Sequence, residues 1–452
     1  MDRSGRSVDV IEEYKKRTPT SARIYEEARK LVPGGVNANV KFYPPYPLYM
    51  REAKGSKLID VDGNEYVDFL LGFGPLILGH GHPEITEAVN NHLRERGTTI
   101  FGAQDEFMLT MSRKLRHLLR SEFMFRYHNS GTEATMNSIR LARGYTGKQK
   151  IAKFEGHYHG WAEYTDLSVS PPLDIAGPEL APVPVPQTKA LPDCILKNTI
   201  ILPFNEINAV EKIVKANRDG LAGIILEPLA RGYMMPQGDF LRQLKEVAEE
   251  NDVLLIFDEV LTGFRIGISS AQGYFGVKPD IIALGKIVGG GFPIGVVGSR
   301  PDIMNQLSPE GSKLPDDRIF HSGTFNASSL ILAAGLRTLE ILERPGSYER
   351  IEGTAKAIRD GLRNLVQDRH IKAQVAGIGS IFHLIFTDRE LRNYRQYALS
   401  DKEKLLKFDL AMYNKGIHLA PRHCCFTSLA HDSEDVQRIL EAADDSLAEV
   451  SR

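Results

Sequence analysis

Two stretches, Val253-Leu-Leu-Ile-Phe-Asp258 and Pro279-Asp-Ile-Ile-Ala-Leu-Gly-Lys286, decide how this chain folds. Each contains a short, unbroken apolar run and ends on a charged residue. A run without polar alternation reads as a strand buried on both faces. Ile151-Ala-Lys-Phe154, interrupted by one lysine, and Gly223-Ile-Ile-Leu226 are further strand candidates. Between the latter and Val253, residues Asp239 to Glu250 place Phe240, Leu241, Leu244, Val247 and Ala248 on one helical face. Strands alternating with helices predict an α/β fold with a mostly parallel central sheet covered by helices on both faces. Ligands of such sheets bind outside the C-terminal strand ends, where Asp258 and Lys286 fall.

Working outward, an amphipathic helix is expected from Ser21 to Leu31, with Ile24, Ala28 and Leu31 on one face and Pro33-Gly-Gly35 ending it. Lys57 to Phe69 reads as two strands around an Asp62-Gly63-Asn64 turn. From about residue 75 the alternation of helices and apolar strands begins. Ser170 to Asp193 is proline-rich without helical periodicity, a long surface loop that is either an active-site lid or a passive excursion. Beyond about residue 335 a smaller α+β portion follows. Its strand lies near Gly379 to Phe386, and its closing helix runs from Ser433 to about Ser446 behind an Asp432 or Ser433 cap.

A chain of 452 residues exceeds one small core, so two domains are expected. Hydrophobic content of 42%, charged content of 25% and a net charge of -2 give no reason to expect nucleic acid or an anionic membrane as partner. No uninterrupted apolar stretch approaches the ~18 residues of a membrane span. Met1-Asp-Arg-Ser-Gly-Arg6 lacks the apolar segment of a secretory signal, which points to a cytoplasmic protein. Cys194, Cys424 and Cys425 form neither a disulfide framework nor a metal-ligand spacing.

An acid and an amine at the ends of two buried strands are what pyridoxal phosphate chemistry requires. The amine holds the aldehyde as a Schiff base, and the carboxylate keeps the pyridine nitrogen protonated. Asp258 and Glu259 read equally as a metal-binding pair or as strand-end charges, and Lys286 as a phosphate-binding lysine. The surroundings lack a nucleotide P-loop spacing, and Gly289-Gly-Gly291 fails the dinucleotide fingerprint. No histidine pair has metal-ligand spacing. Ser130-Gly131-Thr132-Glu133 precedes a helix-like run and suits a phosphate, or is an ordinary helix cap. Phe154-Glu-Gly-His-Tyr-His-Gly160 follows a strand, and its aromatic can stack on a flat heterocycle or serve structure alone.

Taken together, Asn129 to Gly147, Phe154 to Gly160, Leu226-Glu-Pro228, Phe257-Asp-Glu-Val-Leu-Thr-Gly-Phe-Arg265 and Leu284-Gly-Lys286 occur in an order that is far more specific than any one motif. The chain resembles the class III, fold-type I pyridoxal-phosphate aminotransferases, most closely the branch containing glutamate-1-semialdehyde 2,1-aminomutase. The resemblance runs from Val32 to His431. It implies that Lys286 binds the cofactor covalently and shuttles a proton, and that Asp258 pairs with the pyridine nitrogen. Val260 would pack on one ring face and Tyr158 on the other, while Ser130, Gly131 and Thr132 hold the phosphate. Thr324 would reach the phosphate of a neighbouring subunit, making a homodimer with its active site at the subunit interface. The large, cofactor-binding domain would span residues 76–335, and residues 1–75 and 336–452 would build the smaller one.

The substrate side departs from that branch. Aminomutases read Val-Asn-Ser-Pro-Val-Arg where this chain has Val36-Asn-Ala-Asn-Val-Lys41, so a hydroxyl is lost and lysine replaces the guanidinium fork. Ala420-Pro-Arg-His-Cys-Cys-Phe426 is shorter than their Phe-Glu-Ala-Gly segment and lacks its acid. An asparagine near the cofactor hydroxyl is replaced around Arg231-Gly232. Thr324-Phe-Asn326 resembles β-amino-acid aminotransferases instead. These departures favour an intermolecular aminotransferase moving an amino group from an amino acid, β- or D-configured among the options, to a 2-oxo acid. Arg422, then Lys41, are the candidates for the substrate carboxylate. The alternative is the aminomutase itself, and a cofactor-binding regulatory module is the reading from a different class.

Overall fold

The computed structural model describes residues 9–310, 313–314 and 317–451. Its chain forms two compact units. One contains the chain up to Pro83, Glu349–Asp388 and the chain from Ser400; the other contains Glu84–Tyr348 and Arg389–Leu399.

In the first unit, strands Met50–Lys54, Lys57–Asp60 and Glu65–Asp68 form an antiparallel ladder, which Ile417–His418 joins in parallel. The turn between Lys57–Asp60 and Glu65–Asp68 falls on Asp62-Gly63-Asn64, as the sequence suggests. Gln374–Ala376, Ile381–Ile385 and Cys425–Phe426 make a second sheet. Helices Lys402–Asn414 and Ser433–Val450 bury Phe408, Met412, Ile439 and Leu447 in the same core as Phe382 and Phe386. The last helix opens with Asp432 accepting from Glu434 and Asp435 N–H, a side-chain cap on its free donors.

The second unit is built on a seven-stranded sheet. In chain order its strands are β1 (Met124–His128), β2 (Lys150–Phe154), β3 (Thr199–Leu202), β4 (Leu221–Leu226), β5 (Leu254–Glu259), β6 (Ile281–Gly285) and β7 (Gly295–Ser299). They lie in the order β1-β7-β6-β5-β4-β2-β3. Every residue of β4, β5 and β6 is buried, as their unbroken apolar runs require. The pairs among β3, β2, β4, β5 and β6 are parallel, whereas β7 runs antiparallel to both β1 and β6. Only residues 286–294 link β6 to β7, too few for the crossover that a parallel neighbour needs.

Two helices of this unit that pack against the sheet bear on the sequence reading. Helix α1 (Gly131–Thr146) starts behind N-cap Ser130 and ends at Gly147, whose φ of 70° favours glycine. Helix α2 (Phe240–Glu250) buries the five apolar residues read from its periodicity. A short third helix, α3 (Tyr394–Ala398), anchors the 170–193 loop. Arg395 pairs with buried Glu155 at 2.8 and 3.0 Å and donates to the Gly177 carbonyl at 3.0 Å, while Tyr394 Oη donates to Pro171 at 3.0 Å.

Candidate active site

Strands β5 and β6 are parallel neighbours, with Asp258 opposite Ala283 and Glu259 opposite Leu284. Lys286 follows directly on the end of β6. Its φ of 50° lies in the left-handed region, which a lysine rarely adopts and which costs on the order of 1–3 kcal/mol. The sharp bend is completed by Gly290, also left-handed, at the close of the turn Lys286–Gly289.

Asp258 is 4% exposed. Its Oδ1 accepts the Val260 N–H at 3.0 Å, and its Oδ2 lies 2.8 Å from His159 Nδ1. Burial pushes the carboxyl up to about 7, against the opposing pull of the Val260 N–H and the Lys286 charge. Burial also holds His159 well below the ordinary imidazole range, so the ring is neutral and one proton is shared between Nδ1 and the acid. The His159 carbonyl is fixed by the Thr135 hydroxyl at 2.7 Å. Glu259, one residue on, points to the opposite face of the sheet. There it accepts from Thr262 Oγ1 at 3.0 Å, Ala271 N at 2.5 Å and Gln272 N at 2.8 Å. That commitment rules out the Asp258–Glu259 metal-pair reading, because the two carboxyls do not converge.

At the start of α1, Ser130 Oγ accepts the Glu133 N–H at 3.1 Å and Glu133 Oε2 accepts the Asn129 N–H at 2.6 Å. The helix-cap reading of Ser130 is therefore correct. It is compatible with an anion site, since the remaining first-turn N–H groups carry the positive end of a sixteen-residue helix. A Cβ on Gly131 would lie 2.7 Å from Val260 Cγ1, and one on Gly285 would lie 3.2 Å from the same methyl. A Cβ on Gly160 would lie 2.4 Å from Thr132 Oγ1. Glycines thus allow the Ser130–Thr132 turn, the Tyr158–Gly160 turn, Val260 and the Lys286 bend to close on one place. Thr324 lies in the exposed segment 322–325, whose neighbour Asn326 accepts from Asn129 Nδ2 at 2.9 Å.

Tyr158 presents a half-exposed ring, and its N–H donates to Glu227 Oε2 at 2.9 Å. The Glu227 N–H in turn donates to His157 Nδ1 at 3.1 Å. Burial, and then the neighbouring Asp258, push the Glu227 carboxyl up to about 7. Sequence reasoning gave no role to His159 or Glu227. The signal available for Glu227 was the one that singled out Asp258, an acid closing an all-apolar strand.

Lys41 and Arg422 belong to the first unit. Lys41 is exposed and ends the short turn Asn39–Lys41. Arg422 is exposed, has φ 61°, and donates its backbone N–H to Asp409 Oδ2 at 2.9 Å. Burial pushes Asp409 up to about 8, with the Arg422 charge pulling it back.

The second unit's residues fit pyridoxal phosphate. Asp258 is a dry acid whose ionisation a cationic ring N–H would favour. Lys286 places an amine at the adjoining strand end, α1 offers free N–H groups for a phosphate, and Tyr158 leaves an aromatic face uncovered.

Comparison with known proteins points to the same cofactor. The family model of the class III aminotransferases matches residues 39–442. A glutamate-1-semialdehyde 2,1-aminomutase from Methanocaldococcus jannaschii is 42% identical over 94% of this chain and 97% of its own. Among solved structures, an omega-transaminase from Sphaerobacter thermophilus aligns with a TM-score of 0.89 and 32% identity over 96% of this chain and 98% of its own. A glutamate-1-semialdehyde aminomutase from Pseudomonas aeruginosa aligns with a TM-score of 0.86 and 25% identity over 98% and 97%. The chain belongs to the class III aminotransferases and is a pyridoxal-phosphate enzyme of fold type I.

Proposed function

We propose that this enzyme moves an amino group between adjacent carbons of one substrate, as a glutamate-1-semialdehyde 2,1-aminomutase. The observation that carries this is the 42% identity, over nearly the full length of both chains, to a relative with that name. It reverses the order reached from the substrate-side residues, which put transfer between two molecules first. Pyridoxal phosphate, when bound, supplies an electron sink conjugated to the amino group it holds. Lys286 Nζ holds the cofactor and moves the proton at the reacting carbons. Asp258, oriented by His159, keeps a proton on the ring nitrogen. Tyr158 and Val260 enclose the ring, and Ser130, Gly131 and Thr132 hold the phosphate. A second copy supplies Thr324 to that phosphate, so the working unit is a cytoplasmic homodimer. Arg422, with Lys41 second, binds the substrate carboxylate.

The second reading, transfer from an amino acid to a 2-oxo acid, is favoured by Val36-Asn-Ala-Asn-Val-Lys41 and by the missing acid in Ala420–Phe426. The similarity to an omega-transaminase supports it too. The two differ in stoichiometry. Holoenzyme given glutamate-1-semialdehyde alone should form 5-amino-4-oxopentanoate over many turnovers. No product there, with steady turnover of α-, β- or D-amino donors once pyruvate or 2-oxoglutarate is added, would establish the second reading instead.

A further inference from the structure

Lys153 lies on β2, one residue before Phe154, and none of it reaches solvent. Its Nζ donates to the backbone carbonyls of His157 at 3.0 Å, Thr165 at 3.1 Å and Leu167 at 2.5 Å. An ammonium has three donors, and here each has a carbonyl. No carboxylate is among these partners. The charged and titratable groups that face it are Glu227 from the end of β4, Arg231 from the turn beyond it, Asp166 from the loop, and the imidazoles of His157 and His159. A buried cation without an ion partner is unfavourable unless dipoles replace its hydration. The three carbonyls supply those dipoles.

All three belong to the excursion between β2 and the 170–193 loop, the segment that carries Tyr158 and His159. That excursion has no strand or helix ladder of its own, although single bonds such as Gly156 N–H to the Ser168 carbonyl at 2.8 Å close it. An ammonium at its centre converts a chain of turns into a fixed frame.

We propose that Lys153 is a positioning residue, whose buried ammonium gathers the 157–167 backbone so that His159 meets Asp258 and the Tyr158 ring faces the cofactor. The inference rests on the cofactor site proposed above and is independent of which amine is exchanged. Lys153 touches neither substrate nor the reacting atoms. It acts through the loop.

The test compares holoenzyme of Lys153→Met, which keeps the stem and removes the charge, with Lys153→Arg, which keeps a cation. Hydrogen exchange at the amides of residues 157–167 should be about tenfold or more faster in Lys153→Met, with α2 unchanged. The emission of Trp161, the chain's one tryptophan and part of this loop, should shift, and so should the absorbance of the bound cofactor. Turnover should fall up to about a hundredfold with little change in KM, as expected when a group is misplaced rather than removed. Lys153→Arg should restore exchange and most turnover. Should Lys153→Met not fold, a folded, active Lys153→Arg supports the proposal and an unfolded one overturns it. Loop exchange, cofactor absorbance and kcat unchanged in Lys153→Met would also overturn it. So would equal damage in both variants, which would assign the effect to packing volume. Failure of the wild type on glutamate-1-semialdehyde would count against the aminomutase reading and leave these comparisons intact.

Discussion

Replacing Asp258 by Asn separates what this residue does for stability from what it does for chemistry. In the folded chain without cofactor, burial raises the carboxyl from 3.8 to about 7. A difference of roughly three units corresponds to about 4 kcal/mol between protonated and ionised forms. The sign follows from linkage. The folded chain keeps a proton that the unfolded chain releases, so the associated stability is full below pH 3.8 and is lost as pH rises through about 7. Asparagine is neutral throughout. Its Oδ1 can still accept from Val260, and its amide can donate to His159 Nδ1 in the other tautomer. Because Glu227 shares the site and is itself raised, part of the gain will be redistributed. Cofactor-free Asp258→Asn should therefore match the wild type near pH 4 and exceed it by about 2–4 kcal/mol at pH 8, read from urea midpoints at both pH values. The holoenzyme should move the other way. Without the counter-charge on the ring nitrogen, kcat should fall about 10²–10³-fold. A variant no more stable than the wild type at pH 8, or one that keeps full turnover, would refute this account of Asp258.

Other perturbations probe separate parts of the site. Gly131→Ala would bring a methyl to 2.7 Å from Val260 Cγ1, so it should lower stability by about 1–3 kcal/mol and weaken cofactor binding, measured by thermal denaturation and cofactor titration. Arg395→Met strips buried Glu155 of its partner and frees carbonyls in the 170–193 loop. A loss of about 3–5 kcal/mol is expected, with new proteolytic sites in that loop. Arg422→Ala should raise KM for carboxylate substrates with kcat little changed; unchanged kinetics would remove Arg422 from the site.

The sequence exposed most of the scaffold because β4, β5 and β6 are buried on both faces and so carry apolar runs that nothing else explains. It was silent on β1, β3 and β7 for physical reasons. Met124–His128 is a sheet edge bearing Arg126 and His128, Thr199–Leu202 is only four residues long, and Gly295–Ser299 contains two glycines that weaken strand propensity. Asp258 and Lys286 could be read because each breaks an apolar run at its end. His159 and Lys153 could not, since their importance arises from neighbours across the sheet and from a loop that closes over them; Glu227 carries the same strand-end signal as Asp258. The order of the two functional readings was beyond the residues as well. A lost serine, arginine and glutamate argue for transfer between molecules, whereas full-length similarity to an aminomutase argues for transfer within one.

The account depends most on Lys286 being the amine that holds the cofactor. A second lysine whose ammonium burial draws down, to about 7, is Lys153, but its Nζ is enclosed by three backbone carbonyls. Borohydride fixes the cofactor covalently to the amine that holds it, and peptide mass spectrometry then locates the adduct. The expected result is stoichiometric modification of the peptide containing Lys286, abolished in Lys286→Ala. An adduct on the Lys153 peptide, or none on Lys286, would contradict the account.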